Sequence, residues 1–333
     1  MSGPHDALAR HVFSNEQRAA SEFRVVLGPQ ISALIDWSTL HLEPGQVEGE
    51  AIEALFPDLR FSARLQDMPV ALGLMLEHQS TPDALMPVRF FRNNGGFWHE
   101  FMRNHPGQKV PLVINVLLAQ GERPWPTAPE LWTAIDGGER LRQLMPHLIP
   151  SLPVLTDDLA AATDAEIRAR PQDAFTRLAL LMMKHSREPQ LAQSLAQASD
   201  LALEVDRQPG GRVALVEVGR YILRANDRVG PEELRTALAP ALGRGAEEIA
   251  MTAGEQLIQQ GLQQGLQQGL QQGLQQGQLQ ARASVVLEVL STRGLAIPPS
   301  VRARIVSCAD VSVLSRWLQR ALTMSSAEDV VAD

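Results

Sequence analysis

The amino-acid sequence predicts an α/β fold over residues 1–155. An all-α region follows over 156–253, then a glycine-rich repeat linker, expected to be helical, over 254–281, and a small helical unit over 282–333. Three observations carry this. Val70–Leu76 and Val110–Leu118 are nearly continuous apolar runs of strand length, as strands covered on both faces require. From about residue 156 such runs largely give way to apolar residues three and four apart, as in Leu178, Leu181 and Met182 and in Val213, Val216 and Ile222. Residues 259–277 repeat Gln-Gln-Gly-Leu four times, with a fifth unit ending in Gln278.

Taken in order, residues 4–28 read as helical, with Pro4 suited to a first turn and Pro29 ending the run. Ile31–Leu42 mixes apolar residues with Asp36, Trp37 and Ser38, and Pro44-Gly45 makes a turn. Leu55–Leu65 has strand character, and Gln66-Asp67-Met68-Pro69 is a turn leading into the apolar run from Val70. Residues 83–104 look helical, although Asn93-Asn94-Gly95-Gly96 is a poor helix centre. Gly121–Pro126, with Pro129 close behind, reads as a loop or domain edge. Thr163-x-x-Glu166 fits a capping box, and Gly230-Pro231-Glu232-Glu233 fits a helix start. The repeat leucines, Leu262, Leu266, Leu270 and Leu274, are four residues apart, so on a helix their stripe drifts by about 40° per unit. Each repeat glycine costs about 1 kcal/mol against alanine in a helix. The tract is either a helical linker or a self-association device that uses the glycines for close approach. In the last unit, Gly294 is a helix stop, Pro298-Pro299-Ser300 a helix start and Asp310 a cap, while Arg302, Arg304, Arg316 and Arg320 make the segment locally basic.

Hydrophobic residues make up 44% of the chain and charged residues 20%, a globular balance. The net charge of −8 disfavours long-range attraction to nucleic acid, so DNA as a partner needs a local basic face or a metal. Cys308 is the one cysteine, which excludes an internal disulfide. Met1–His11 contains Asp6 and lacks an apolar core, unlike a signal peptide, and no apolar run is long enough to span a bilayer. The expectation is a cytoplasmic protein with no membrane partner.

The chemically informative segment is 56–80. A hairpin turning between Asp67 and Met68 pairs Asp58 with Glu77, and directly opposed residues share a face. Gln79, two residues further, shares it too. Two carboxylates at an effective dielectric near 20 and a separation of about 4 Å repel by about 4 kcal/mol. A hard divalent cation on their oxygens removes that cost. The alternative is a solvated sheet edge that needs no metal.

Pro4-His5-Asp6, Pro57-Asp58-Leu59, Leu76-Glu77-His78-Gln79-Ser80 and Gly121-Glu122-Arg123-Pro124-Trp125 occur in this order, with Met251–Leu257 and the glycine-rich repeats behind them. Together they resemble the Rpn recombination-promoting nuclease family, also called YhgA-like putative transposases. The resemblance implies a PD-(D/E)XK restriction-endonuclease-like fold, a mixed sheet flanked by helices, over 1–155. It also implies Mg²⁺-dependent (or Mn²⁺-dependent) cleavage of DNA linked to recombination or mobile elements. Transferred here, Asp58, Glu77 and the backbone carbonyl of His78 hold the metal. Gln79, standing where related nucleases often have lysine, orients a water without supplying charge. Asp6 is a weaker candidate for an additional acid. Ala9, Arg60, Ala119-Gln120 and Asn93–Gly96 depart from the family pattern. They leave open a weakened or inactive member acting through self-association of the 259–278 repeat and its C-terminal helices. Nothing in the sequence supports a transposase triad or a zinc site.

Overall fold

The computed structural model describes residues 3–43, 59–65, 68–79, 83–121, 124 and 130–332, with the backbone alone for 68–79. The chain forms two compact units, residues 1–256 and 257–333.

The first unit opens with α1 (Pro4–Phe13) and α2 (Glu16–Ser32). The single helical run expected over 4–28 is split because Asn15 caps α2: its Oδ1 accepts the Gln17 and Arg18 N–H groups, each at 3.1 Å. The run breaks where Pro29 predicts: Gly28 takes the non-helical φ +70°, a conformation open to glycine, and a further short helical stretch beyond this kink carries α2 to Ser32. A mixed sheet follows: β1 (Ile35–Leu42), β2 (Leu59–Leu65), β3 (Met68–Gln79), then α3 (Met86–Asn104), β4 (Leu112–Ala119), a single 3-10 turn (Leu131–Ala134), α4 (Gly138–Leu144) and β5 (Val154–Asp158). The strands lie in sequence order. The first three pair antiparallel, and β3–β4 and β4–β5 pair parallel. Parallel partners need a crossover, which α3 supplies between β3 and β4.

The β2–β3 hairpin pairs Leu59 with Leu76, Arg60 with Met75 and so on to Arg64 with Ala71. The ladder then slips, so that Leu65 meets Met68 instead of Val70. Two strands had weak sequence signals. β1 is rich in polar residues and irregular between Asp36 and His41, and β5 straddles residue 155. The helix α3 runs unbroken through Asn93–Gly96, and both asparagines are buried within it.

Each face of the sheet is covered. Leu59, Phe61, Ala63, Val116 and Leu118 belong to a large core with α1, α2 and α6, in which the Phe23 and Phe61 rings meet edge to face at 5.5 Å. Leu117, Ala119 and Val154 pack on Met86 and Phe90 of α3. The all-α region shares the larger core through α5 (Asp164–Arg168), α6 (Ala174–His185), α7 (Leu191–Gln197), α8 (Ser199–Asp206), α9 (Gly211–Ala225) and α10 (Pro231–Leu242). The capping box at Thr163 and Glu166 forms, and Gly230 donates its N–H to Glu233 at the start of α10.

α11 (Gly245–Thr292) contains the whole repeat tract. Its early residues Ala246, Ile249, Ala250 and Ala253 belong to the first core. Its late residues Ala283, Val286 and Leu290 join α12 (Pro299–Val306), α13 (Val311–Ala321) and α14 (Ala327–Val331) in the core of the second unit. Gly294 takes φ +71° just past the helix end, and Asp310 Oδ1 caps α13 through Ser312 and Val313. Among the described residues, no helix is long and apolar enough to cross a membrane.

Candidate active site

The carboxyl half of β3 carries the predicted site. Beyond Leu76 the described β2 ends, while β3 continues beside β4, pairing Glu77 with Leu117, His78 with Leu118 and Gln79 with Ala119. Side chains alternate along a strand, so the rows follow from the register. Glu77 and Gln79 therefore share the register row of Leu117 and Ala119, the two β4 residues that pack on α3. His78 lies in the opposite row with Leu118. Asp58 lies outside the described residues, one step beyond the Leu59–Leu76 pair.

Arg60, in the alternate row of β2 from Leu59, is tied to the α3 face. Its guanidinium donates to Glu100 Oε2 at 3.1 Å and lies 5.1 Å from the Phe97 ring centroid. A residue that the family pattern marks as a departure is therefore an anchor between β2 and α3. On the same face two buried amide oxygens, Asn94 Oδ1 and Asn115 Oδ1, have no hydrogen-bond partner. Asn115 lies one same-face step before Leu117 in β4, and Asn94 continues the Met86–Phe90 stripe of α3. The donors offered here are oxygens without cysteine or imidazole, the set that suits Mg²⁺ or Mn²⁺ rather than zinc. Among the described residues no cluster of three or more His, Cys, Asp or Glu forms a metal site.

Asp6 stands in the first turn of α1, where its Oδ2 accepts the Gly3 N–H at 3.1 Å. Neighbouring His5 enters a buried network that sequence reasoning missed. Tyr221 of α9 lies 2.8 Å from His5 Nδ1. Gln120, just past β4 and 2% exposed, places Nε2 2.6 Å from the Met183 carbonyl, 2.7 Å from Ser186 Oγ and 3.1 Å from His5 Nδ1. An amide has two hydrogens, which the two shortest contacts use, so His5 Nδ1 has its closest hydrogen-bond partner in the Tyr221 hydroxyl, in the direction that the imidazole tautomer sets. Burial holds the Tyr221 phenol well above its ordinary pKa, so it remains a donor. These residues are far apart in the chain, and no spacing rule links them.

A second missed cluster lies between α2 and β5. Arg170 grips Asp157 with two hydrogen bonds, 2.6 and 2.8 Å, and Gln172 donates to Glu22 Oε2 at 2.8 Å. Glu22 is fully buried and its Oε1 faces no donor. Burial first, and then the negative charge of Asp157, hold its carboxyl well above the usual range. This cluster lies in the α1–α2 core, not in the row of Glu77.

The model of the family described as "Putative transposase, YhgA-like" matches residues 3–211, which span every strand and the helices through α8. The chain belongs to this YhgA-like family. Its relatives include the recombination-promoting nuclease RpnC of Escherichia coli K12, 28% identical over 66% of this chain and 70% of the relative. RpnA of the same strain is 28% identical over 78% of this chain and 85% of its own length. Another relative is named an inactive recombination-promoting nuclease-like protein, RpnE, 26% identical over 57% of this chain and 61% of itself. The YhgA-like family therefore includes members named as nucleases and members named as inactive. No solved structure matches the chain significantly.

Proposed function

We propose that the chain is a Mg²⁺-dependent DNA endonuclease of the PD-(D/E)XK type, acting in recombination or on mobile DNA. The observation that carries this reading is the hairpin register: Leu59 stands opposite Leu76, the pairing that the 58–77 expectation requires of its neighbours, and β3 runs on through Glu77 and Gln79 beside β4. The order of two helices, a three-stranded antiparallel meander, a crossover helix and a parallel strand supports the fold assignment. The names of the relatives support nuclease chemistry.

In this reading Asp58, Glu77 and the His78 carbonyl hold the cation. When bound, the metal lowers the pKa of a water and stabilises charge on the phosphate. Gln79 accepts from and donates to that water, fixing its line of approach, and adds no positive charge. Hydrolysis would form a bond from a water oxygen to phosphorus as the phosphorus–sugar oxygen bond breaks, the attacking water giving up one proton to solvent and the leaving sugar oxygen taking one from it.

The test is nicking of supercoiled plasmid with Mg²⁺, Mn²⁺ or EDTA. Asp58→Ala and Glu77→Ala should each lower the rate by about a thousandfold, the scale of several kcal/mol of metal assistance, with unchanged circular dichroism. Equal trace cleavage by the parent and both variants would mean contamination and sink the reading.

A second reading, an interaction protein that self-associates through α11, is favoured by one observation. Ile258, Leu262, Leu266, Leu270 and Leu274 are 60–75% exposed along the repeat tract. Five large apolar side chains in water at four-residue spacing mark a surface suited to a second copy.

A further inference from the structure

We propose that the cavity at the carboxyl ends of β4 and β5 is an anion site that takes a backbone phosphate of a nucleic-acid strand between Lys184 and Arg187. This rests on the nuclease reading only in choosing a strand over a free phosphorylated compound. The cavity has a volume of about 310 Å³, and its lining includes Gln120, Gly121, Ala160, Lys184, Ser186 and Arg187. That is enough for a phosphate with its sugar and too small for a folded partner. Gly121 closely follows β4 and Ala160 follows β5, and in parallel sheets ligands collect outside the carboxyl ends of the strands.

The lining has the charge an oxyanion requires. Lys184 Nζ donates to the Leu159 carbonyl at 3.1 Å and the Ala162 carbonyl at 2.7 Å. Those bonds fix the ammonium in place and use two of its three donors, leaving one for a ligand. Arg187 is exposed and has no ion-pair partner among the described residues, so its fork is available for two phosphate oxygens. The floor is polar and rigid: Gln120 and Ser186 are both buried and bonded to each other at 2.7 Å. One acid also lines the cavity, Glu188, and its Oε2 lies 2.9 Å from His185 Nδ1. Among the described lining residues, two cations against one such carboxylate make a local basic spot in a chain of net charge −8. That is the feature an acidic nucleic-acid enzyme needs to hold a strand without a basic surface overall.

The probe is a fluorescein-labelled single-stranded oligonucleotide, read by anisotropy with the full chain in EDTA so that cleavage does not intervene. Arg187→Glu should weaken binding by about tenfold and flatten its salt dependence, whereas Arg207→Glu, the same charge change on an exposed arginine outside the lining, should change it by less than about twofold. Lys184→Met, checked by its melting temperature, should repeat the loss. Inorganic phosphate should compete weakly, and a dinucleotide more strongly. Equal losses from Arg187→Glu and Arg207→Glu, or no loss from Arg187→Glu in a normally folded variant, would overturn the site. If inorganic phosphate competes as well as the dinucleotide, the strand is the wrong ligand class. Glu77→Ala should cut poorly and bind normally. If both Asp58→Ala and Glu77→Ala still cut, the active-site reading falls while the Arg187 result stands on its own.

Discussion

Glu22 is the residue at which burial and charge conflict most directly. Its Oε1 faces no donor beside Asp157, so a proton there turns two repelling carboxylates into a hydrogen-bonded pair under Arg170. The folded state then holds a proton that the unfolded chain releases above the ordinary value of 4.5. The contribution of this group is complete below that value and is lost as pH rises through the raised folded value. Thermal melts between about pH 5 and pH 8 should therefore show Glu22→Gln losing less stability with rising pH than the parent does. The amide keeps the Gln172 bond and can donate to Asp157 at any pH. Glu22→Ala should instead cost about 2–4 kcal/mol at low pH, because it opens a cavity and strands Gln172, and that cost should shrink as pH rises. A parent and a Glu22→Gln variant with parallel pH profiles would refute the proton assignment.

At the scale of elements, the hairpin was legible and its neighbours were not. The apolar run from Val70 and the turn expected before it predict the register of β2 on β3 that is found from Leu59–Leu76 to Arg64–Ala71, while Glu77 and Gln79 are grouped by the two-residue period of β3 itself. The slip at Leu65 is invisible in sequence because it depends on turn geometry. β5 ends in Asp157-Asp158, residues depleted in strands, and is a strand because β4 offers it a parallel partner. α3 persists through Asn93–Gly96 because Met86 and Phe90 anchor it on the sheet, outweighing the propensity cost. The His5–Gln120–Tyr221–Ser186 network was illegible, since it joins α1, the end of β4, α9 and α6, elements that only the tertiary fold brings together. The repeat helix yields a prediction of its own. A Cβ at Gly261, Gly265, Gly269, Gly273 or Gly277 meets nothing within 4 Å. Replacing all five with alanine should stabilise the helix by about 1 kcal/mol per site, seen as a higher-melting helical signal in circular dichroism. An unchanged or lower melt would mean that the glycines are in close contact with a partner.

For the molecule as a whole, the choice between a nuclease and a self-associating protein turns on size in solution. Light scattering on the full chain should give more than a monomer, and deletion of residues 259–278 should reduce it to one, if the exposed leucines are an interface. A full chain that is already monomeric would rule out that interface.

The bond between His5 and Tyr221 joins positions 216 residues apart. At ribosomal rates of about 5–20 residues per second, α9 follows α1 by roughly ten to forty seconds. Within that interval the sheet strands are made and can begin to pair, yet the first turn of α1 has no α9 against which to dock. The first unit would thus reach its finished architecture only late in translation, a delay written into topology rather than into any inhibitor.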